Sequence, residues 1–282
     1  NNICASLLLR NRLGNCNIVV THTAGFWNGK RRRQIYREPG DLRALMKSLP
    51  LKSKIGYVIP YLMARYALHR SDPAIAASER AEVFFKSMGL DRFLLSTNFL
   101  LDKVQIHSRA YDTAKPFTLV FVGRDDKIKN LSWLERYFKM TSLPVRLEVV
   151  GIKKRDTDNI AYHGWIKTEH VQNVLKNAHA LVLPSLFEAS PLVVLDALAQ
   201  GLPVFISENA VPAELKKYVN IFSDEKEFEK KLAEIINHYE YALQNRVDTA
   251  VFIQKQYNKE TVLQREWEAI GAWILEAGLQ DP

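Results

Sequence analysis

Two acids with seven residues between them, Glu188 and Asp196, mark the stretch of this chain best suited to chemistry. A carboxylate offers only acceptors, so it suits a ligand rich in hydroxyl donors. Glu188 follows an apolar run, Ala180–Pro184, that reads as a buried strand. Asp196 lies within Pro191–Gln200, which reads as a helix apolar on nearly every side (Leu192, Val193, Val194, Leu195, Ala197, Leu198, Ala199). Such a helix is buried, and an acid within it needs hydrogen-bond donors. Pro191 fits the first helical position, and Ser190 fits the capping position. Gly201 ends the helix, and Pro203–Ser207 reads as a second buried strand. Strand, helix and strand in this order predict a βαβ unit of a parallel sheet. Ligands of open α/β sheets bind at the carboxyl ends of strands, where Glu188 falls. The seat between the two acids, beside a helix N-terminus, suits an anion that carries hydroxyl groups. The same pattern also describes a core helix whose Asp196 bonds to backbone.

A second constellation lies upstream. Phe117–Gly123 reads as a buried strand followed by Arg124, Asp125, Asp126, Lys127, Ile128, Lys129 and Asn130. Arg124 supplies a planar fork of donors and Lys129 a mobile point charge, a pairing suited to phosphate oxygens. A solvated polar loop would have the same composition. His163-Gly164-Trp165 precedes a helix near Lys167–Lys176.

These motifs, in this order, resemble the retaining glycosyltransferases of family 4, which have the GT-B fold and an E-x7-E motif. The resemblance implies an α/β, GT-B architecture of two Rossmann-like domains facing a cleft. It implies a metal-independent hexosyltransferase that moves a sugar, with retention, from a nucleotide-diphosphate sugar to a glycan or lipid-linked acceptor of the cell envelope. The implied donor is UDP-, GDP- or ADP-linked, with no permanently bound cofactor. By the same resemblance Glu188 holds donor-sugar hydroxyls, Asp196 the ribose, and Arg124 and Lys129 the diphosphate. Gly123, Trp165, Ala189, Ser190, Leu192 and Val193 complete the donor site, and His22 stands at the reaction face. The chain departs from the family in two places. Its second acid is Asp196, one methylene shorter than Glu. Glu188-Ala189-Ser190-Pro191 replaces the frequent E-G-F-G, so Pro191 brings no N–H while the amides of Leu192 and Val193 remain. A GT-B epimerase and a non-catalytic nucleotide-sugar-binding fragment are the rival readings.

With 282 residues, 47% of them hydrophobic, the chain can build one large or two ordinary domains. Cys4 and Cys16 form neither a metal nor a disulfide pattern. Asp156-Thr157-Asp158 follows a basic loop rather than an apolar strand, so it reads as surface and not as a metal site. The net charge of +8 is unevenly spread: Phe26 to Arg70 holds eleven basic and two acidic residues. Phe26, Trp27, Ile35 and Tyr36 bracket Lys30–Arg33 there. This composition fits peripheral contact with an anionic membrane or a lipid phosphate, and equally a solvated loop. No nucleic-acid-binding motif accompanies it, and no apolar run reads as a span or a signal peptide. The expected location is the cytoplasm, at the inner face of the membrane.

The elements that must position these groups follow from periodicity. Asn17–Thr21, Ala74–Ser78, Phe93–Ser96, Val145–Gly151 and Tyr218–Ser223 read as strands. Tyr57–Arg70, Glu79–Met88, Asp224–Ala242 and the tail from about Lys259, with Trp267, Ile270, Trp273 and Ile274, read as helices. Ser96–Asp102 resembles the segment where the family's chain leaves its first domain. The expected division is a partial N-terminal acceptor domain with linker over 1–112, a nucleotide-sugar domain over 113–258, and a final helix over 259–282 that crosses back. The chain starts at Asn1 without the usual first strand and Gly-rich loop, so a truncated first domain is expected.

Overall fold

The computed structural model describes residues 18–22, 33–38, 41–48, 58–59, 61–62, 65–66, 74–100 and 104–276. The chain divides into two compact units, Asn1–Asn98 with Lys259–Pro282, and Phe99–Asn258.

The second unit is organised by a six-stranded parallel sheet. Its strands in chain order are β5 (Phe117–Val122), β6 (Val145–Val150), β7 (Ile160–Gly164), β8 (Ala180–Leu183), β9 (Val204–Ser207) and β10 (Asn220–Phe222); their spatial order is β10-β9-β8-β5-β6-β7. The chain therefore winds outward from β5 through β6 to β7, returns to the other side of β5 with β8, and winds outward again. The switch in direction falls between β5 and β8, which pair as Leu119 with Ala180 and Val120 with Leu181. Adjacent crossovers diverge there and leave a crevice at the strands' carboxyl ends.

Continuous apolar sequence makes these strands central. All four residues of β8 are buried, and Leu119, Val120 and Phe121 of β5 have no exposed surface. The helix Leu192–Ala199 packs five of its eight residues into the same core. Trp133 and Tyr137 of the helix Leu131–Met140 stack face to face, and Phe228 meets Tyr137, Phe205 and Phe222. These contacts bind the flanking helices to the sheet.

Helix bounds differ in detail from the periodicity reading. Residues 224–242 form two helices, Glu225–Asn237 and Tyr239–Ala242, broken at His238. The apolar spacing runs across the break through Ile235 to Tyr239, so the pattern does not reveal it. Arg246–Gln256 is a further helix whose buried residues are only Ala250 and Ile253. That leaves too thin an apolar stripe for periodicity to find.

The first unit contains a parallel sheet in the order β1 (Ile18–His22), β2 (Arg33–Glu38), β3 (Ala74–Ala76), β4 (Leu94–Leu95). Part of the basic segment is thus a strand and not a loop: β2 pairs Val20 with Ile35 on one side and Arg37 with Ile75 on the other. A short helix, Leu42–Ser48, follows. Lys30–Arg32, Phe26 and Trp27, with Cys4 and Cys16, lie outside the described residues, as does most of Tyr57–Arg70; its described positions 58–59, 61–62 and 65–66 are helical. Ser78 caps the helix Glu79–Ser87 by accepting from the Ala81 N–H at 3.1 Å. The final helix, Lys259–Glu276, sets Ile270 against Ile75, and the Arg92 guanidinium lies 4.1 Å over the Trp273 ring. Trp267, expected on the apolar face, is 61% exposed, and the side chain of Ile274 is outside the described residues. Among the described residues no helix is long and apolar enough to cross a membrane.

Candidate functional site

The loops that leave β5 and β8 flank the switch point, and they are tied directly to one another. The Leu186 N–H donates to the Ile128 carbonyl at 2.7 Å, and the Asn130 side-chain amide donates to the Pro184 carbonyl at 3.2 Å. Asn130 takes a left-handed conformation (φ 55°) at the head of Leu131–Met140 and makes no side-chain cap there. Asn tolerates that backbone better than most residues. Its amide holds the neighbouring loop instead of its own helix. Upstream, the Asp126 carboxylate accepts from the N–H groups of Ile128 and Lys129 at 2.9 and 3.0 Å, folding the loop into a turn.

This turn delivers Lys129 to Glu188. Lys129 Nζ donates to Glu188 Oε1 at 2.7 Å, with the two side chains only 19% and 10% exposed. Ser185 donates through its hydroxyl to the same Oε1 at 2.6 Å. A cation and a carboxylate from loops 59 residues apart thus meet at the crevice. A buried pair of this kind is costly to desolvate and is weak evidence for stability, so its presence at a ligand crevice needs another reason.

Glycine makes the approach of these loops possible. Lys129 Cδ would lie 3.5 Å from a Cβ at Gly123, and Phe121 Cζ only 3.0 Å away. Gly151, after β6, has φ +96°, and a Cβ there would stand 2.3 Å from the Gly123 carbonyl oxygen. No relaxation of a side chain relieves that overlap, because both partners are backbone. No local spacing of residues marks Gly151 for this role.

The helix beside Glu188 spans Leu192–Ala199. Pro191 occupies the capping position rather than the first turn, and no side-chain cap is made. Ser190 does not fill the capping role expected of it. The leading amides of Leu192 and Val193 therefore project from the helix start without intrahelical acceptors. Leu192 is exposed, Val193 and Asp196 are half-buried, and Ala189 and Ser190 are half-buried in the loop. Gln200 sits at the helix's far end, where its side chain donates to Gln172.

Arg124 lies on the outer side of its loop, 74% exposed and 3.6 Å from the Asp126 carboxylate. It is available to a ligand but not built into the buried pair. Trp165 directly follows β7 and is 79% exposed. Below it Tyr162 donates to Glu135 at 2.7 Å, and Lys154 donates to the same carboxylate at 2.8 Å. Burial raises the Tyr162 hydroxyl's pKa, and its bond to Glu135 raises it further. Burial opposes ionisation of Glu135, but the Lys154 and Tyr162 bonds outweigh it and lower its pKa. His22 is the last residue of β1, in the other unit; its side chain lies outside the described residues. Asp156 and Asp158 are exposed, and the Asp156 carboxylate accepts from the Tyr162 N–H at 2.9 Å. Among the described residues no three His, Cys, Asp or Glu side chains converge as a metal site.

Comparison with known proteins fits this geometry. Residues 116–238 match the family model of Glycosyl transferases group 1. A protein described as an uncharacterized 41.2 kDa protein in the cps region of Klebsiella pneumoniae is 26% identical over 99 residues, 33% of this chain and 28% of that protein. The match thus spans little more than a quarter of that relative. Among solved structures, sucrose-phosphate synthase from Thermosynechococcus elongatus superposes with a TM-score of 0.79 at 14% identity, over 96% of this chain and 78% of that one. Anabaena HepE, solved with UDP-glucose, gives 0.74 at 11% identity, over 95% and 82%. A variant of S. aureus TarM, solved with fondaparinux, α-GlcNAc-glycerol and UDP, gives 0.61 at 15% identity, over 86% and 51%. At these identities the likeness is one of fold: the chain has the α/β, GT-B fold of these proteins.

Proposed function

We propose that this chain is a glycosyltransferase that moves a sugar from a nucleotide-diphosphate sugar to an envelope glycan or lipid-linked acceptor, with retention of configuration. One observation carries the reading: Lys129 and Glu188 meet at 2.7 Å in the crevice between β5 and β8. Sugar transfer from such a donor breaks the bond from the anomeric carbon to the diphosphate oxygen. The departing oxygen gains negative charge, which preorganised cations and N–H groups stabilise. Lys129, Arg124 and the amides of Leu192 and Val193 supply that charge, so no metal is required. Glu188 accepts from hydroxyls of the donor sugar, and Asp196 accepts from the ribose. Gly123 lets the diphosphate side of the loop pack closely, and Trp165 offers a ring to the base. Ala189 and Ser190 line the turn below the sugar, and His22 serves the reacting face.

HepE was solved with UDP-glucose, which supports a UDP-linked donor for a chain of this fold. The basic stretch from Phe26 to Arg70, with Val58, Ile59, Leu62 and Tyr66 exposed, supports a peripheral seat on an anionic membrane at the cytoplasmic face.

Calorimetric titration with UDP-, GDP- and ADP-linked sugars tests the reading. At least one should bind, and Arg124→Ala should weaken that nucleoside diphosphate about tenfold or more, the worth of a charge-assisted hydrogen bond. Transfer should persist in EDTA, and the product's anomeric configuration should match the donor's. A folded chain that binds none of the donors rejects the proposal. Binding with turnover but no acceptor dependence would indicate an epimerase instead.

A further inference from the structure

We propose that Ser185 is a positioning residue for Glu188, holding the carboxylate so that one oxygen remains open to the donor sugar when the diphosphate engages Lys129. The inference rests on the reading of Glu188 as the acceptor of sugar hydroxyls.

Ser185 is fully buried in the loop, two residues past the end of the apolar strand β8. A hydroxyl there is costly unless bonded, and an apolar residue would fill the space more simply. Its Oγ donates to Glu188 Oε1 at 2.6 Å. Its carbonyl in turn accepts from the Ser207 hydroxyl at the end of β9. The loop is therefore pinned on two sides, by Ser207 at the Ser185 carbonyl and by Ile128 at the Leu186 N–H.

Glu188 Oε1 takes donors from both Lys129 and Ser185. Among the described residues no group donates to Oε2. Each carboxylate oxygen accepts about two hydrogen bonds, so Oε1 is filled and Oε2 is the oxygen left for a ligand. The carboxylate cannot turn without losing both donors. The two donors differ in what a ligand does to them. A pyrophosphate draws the mobile Lys129 ammonium toward itself, whereas Ser185, buried behind the carboxylate, stays. Ser185 alone then keeps Oε2 facing the sugar.

The test uses the full chain with UDP-glucose, UDP-N-acetylglucosamine, GDP-mannose and ADP-glucose, each titrated against its own nucleoside diphosphate. The quantity read is the sugar increment, the ratio of the two dissociation constants for the tightest donor. Ser185→Ala should leave the diphosphate constant within about twofold and shrink the sugar increment about tenfold, toward that of Glu188→Gln, as expected for loss of a bond to a charged group. Ser185→Thr, which keeps the hydroxyl, should restore most of it. If Ser185→Ala does not fold, Ser207→Ala carries the test and should shift the increment in the same direction by a smaller factor. An unchanged sugar increment overturns the proposal. So does an equal loss of diphosphate and donor affinity, which marks a merely structural serine. A wild-type chain that binds diphosphates without any sugar increment overturns it as well. A wild-type chain that binds neither defeats the underlying reading of the site, and this inference with it.

Discussion

The buried ion pair between Lys129 and Glu188 has consequences that are testable without any ligand. Removing one partner strands a charge in a site where both side chains are mostly covered. Such a loss is expected to destabilise the protein by about 3–5 kcal/mol, whereas removing both partners costs much less. Lys129→Met should therefore lower the urea midpoint more than Lys129→Met combined with Glu188→Gln. Equal destabilisation by the single and double variants would mean that the pair is not buried as described. Much of this site was legible as residue types. Glu188, Asp196, Arg124 and Lys129 stood out because carboxylates and cations next to apolar runs are conspicuous. Their pairing was not legible, since the partners are 59 positions apart and only the sheet brings them together. Asn130 escaped notice because it acts through a hydrogen bond to a distant loop, and Ser185 because a lone serine gives no sign that its hydroxyl donates to the carboxylate three residues on.

At the scale of elements, β5, β6, β8, β9 and β10 fell within a residue or two of their expected places, whereas β7, Ile160–Gly164, was not expected as a strand. The central strand β8 is an uninterrupted apolar run with all four residues buried, and such a run in a parallel sheet has few alternatives. Helices were less regular. The single helix expected over Asp224–Ala242 is two, and Arg246–Gln256 carries too few buried residues to announce itself. The tightest constraint belongs to a turn. Gly151 combines φ +96° with a Cβ position 2.3 Å from the Gly123 carbonyl oxygen. Gly151→Ala is expected to cost more than about 4 kcal/mol, in the class of strained-backbone substitutions. Denaturant unfolding of the purified variant measures this directly. A loss near 1 kcal/mol would show that the β5 and β6 ends can separate without disturbing the sheet.

For the whole molecule, acid stability is set partly by His179. Its ring is packed among Phe117, Tyr111 and Tyr239, and its Nδ1 accepts from the Thr118 N–H at 2.8 Å. Burial lowers its pKa, and the nearby Arg109 charge lowers it further, against a smaller opposing bond to Ala110. His107 is shifted the same way, by burial first and then by Lys176 and Arg109. A lowered folded pKa means that the unfolded chain takes up protons first. The stabilisation is therefore complete above about pH 6.5, the ordinary histidine value, and drains away as pH falls toward the folded values. Unfolding free energies measured from pH 7.5 to 5 should decline, and His179→Gln should flatten part of that decline. A slope unaltered by the substitution would count against a buried neutral imidazole. The amino-acid sequence by itself determined where most of the strands lie, that the fold is a parallel α/β assembly, and which residue types cluster near strand ends, because burial periodicity and apolar run length are local properties; β2 and β7, both interrupted by polar residues, lacked that signal. Only the tertiary structure decided that β8 returns beside β5, that Lys129 therefore meets Glu188, and that Arg124 faces outward. Strand order joins segments far apart in the chain, and nothing in a local pattern encodes which carboxyl ends become neighbours.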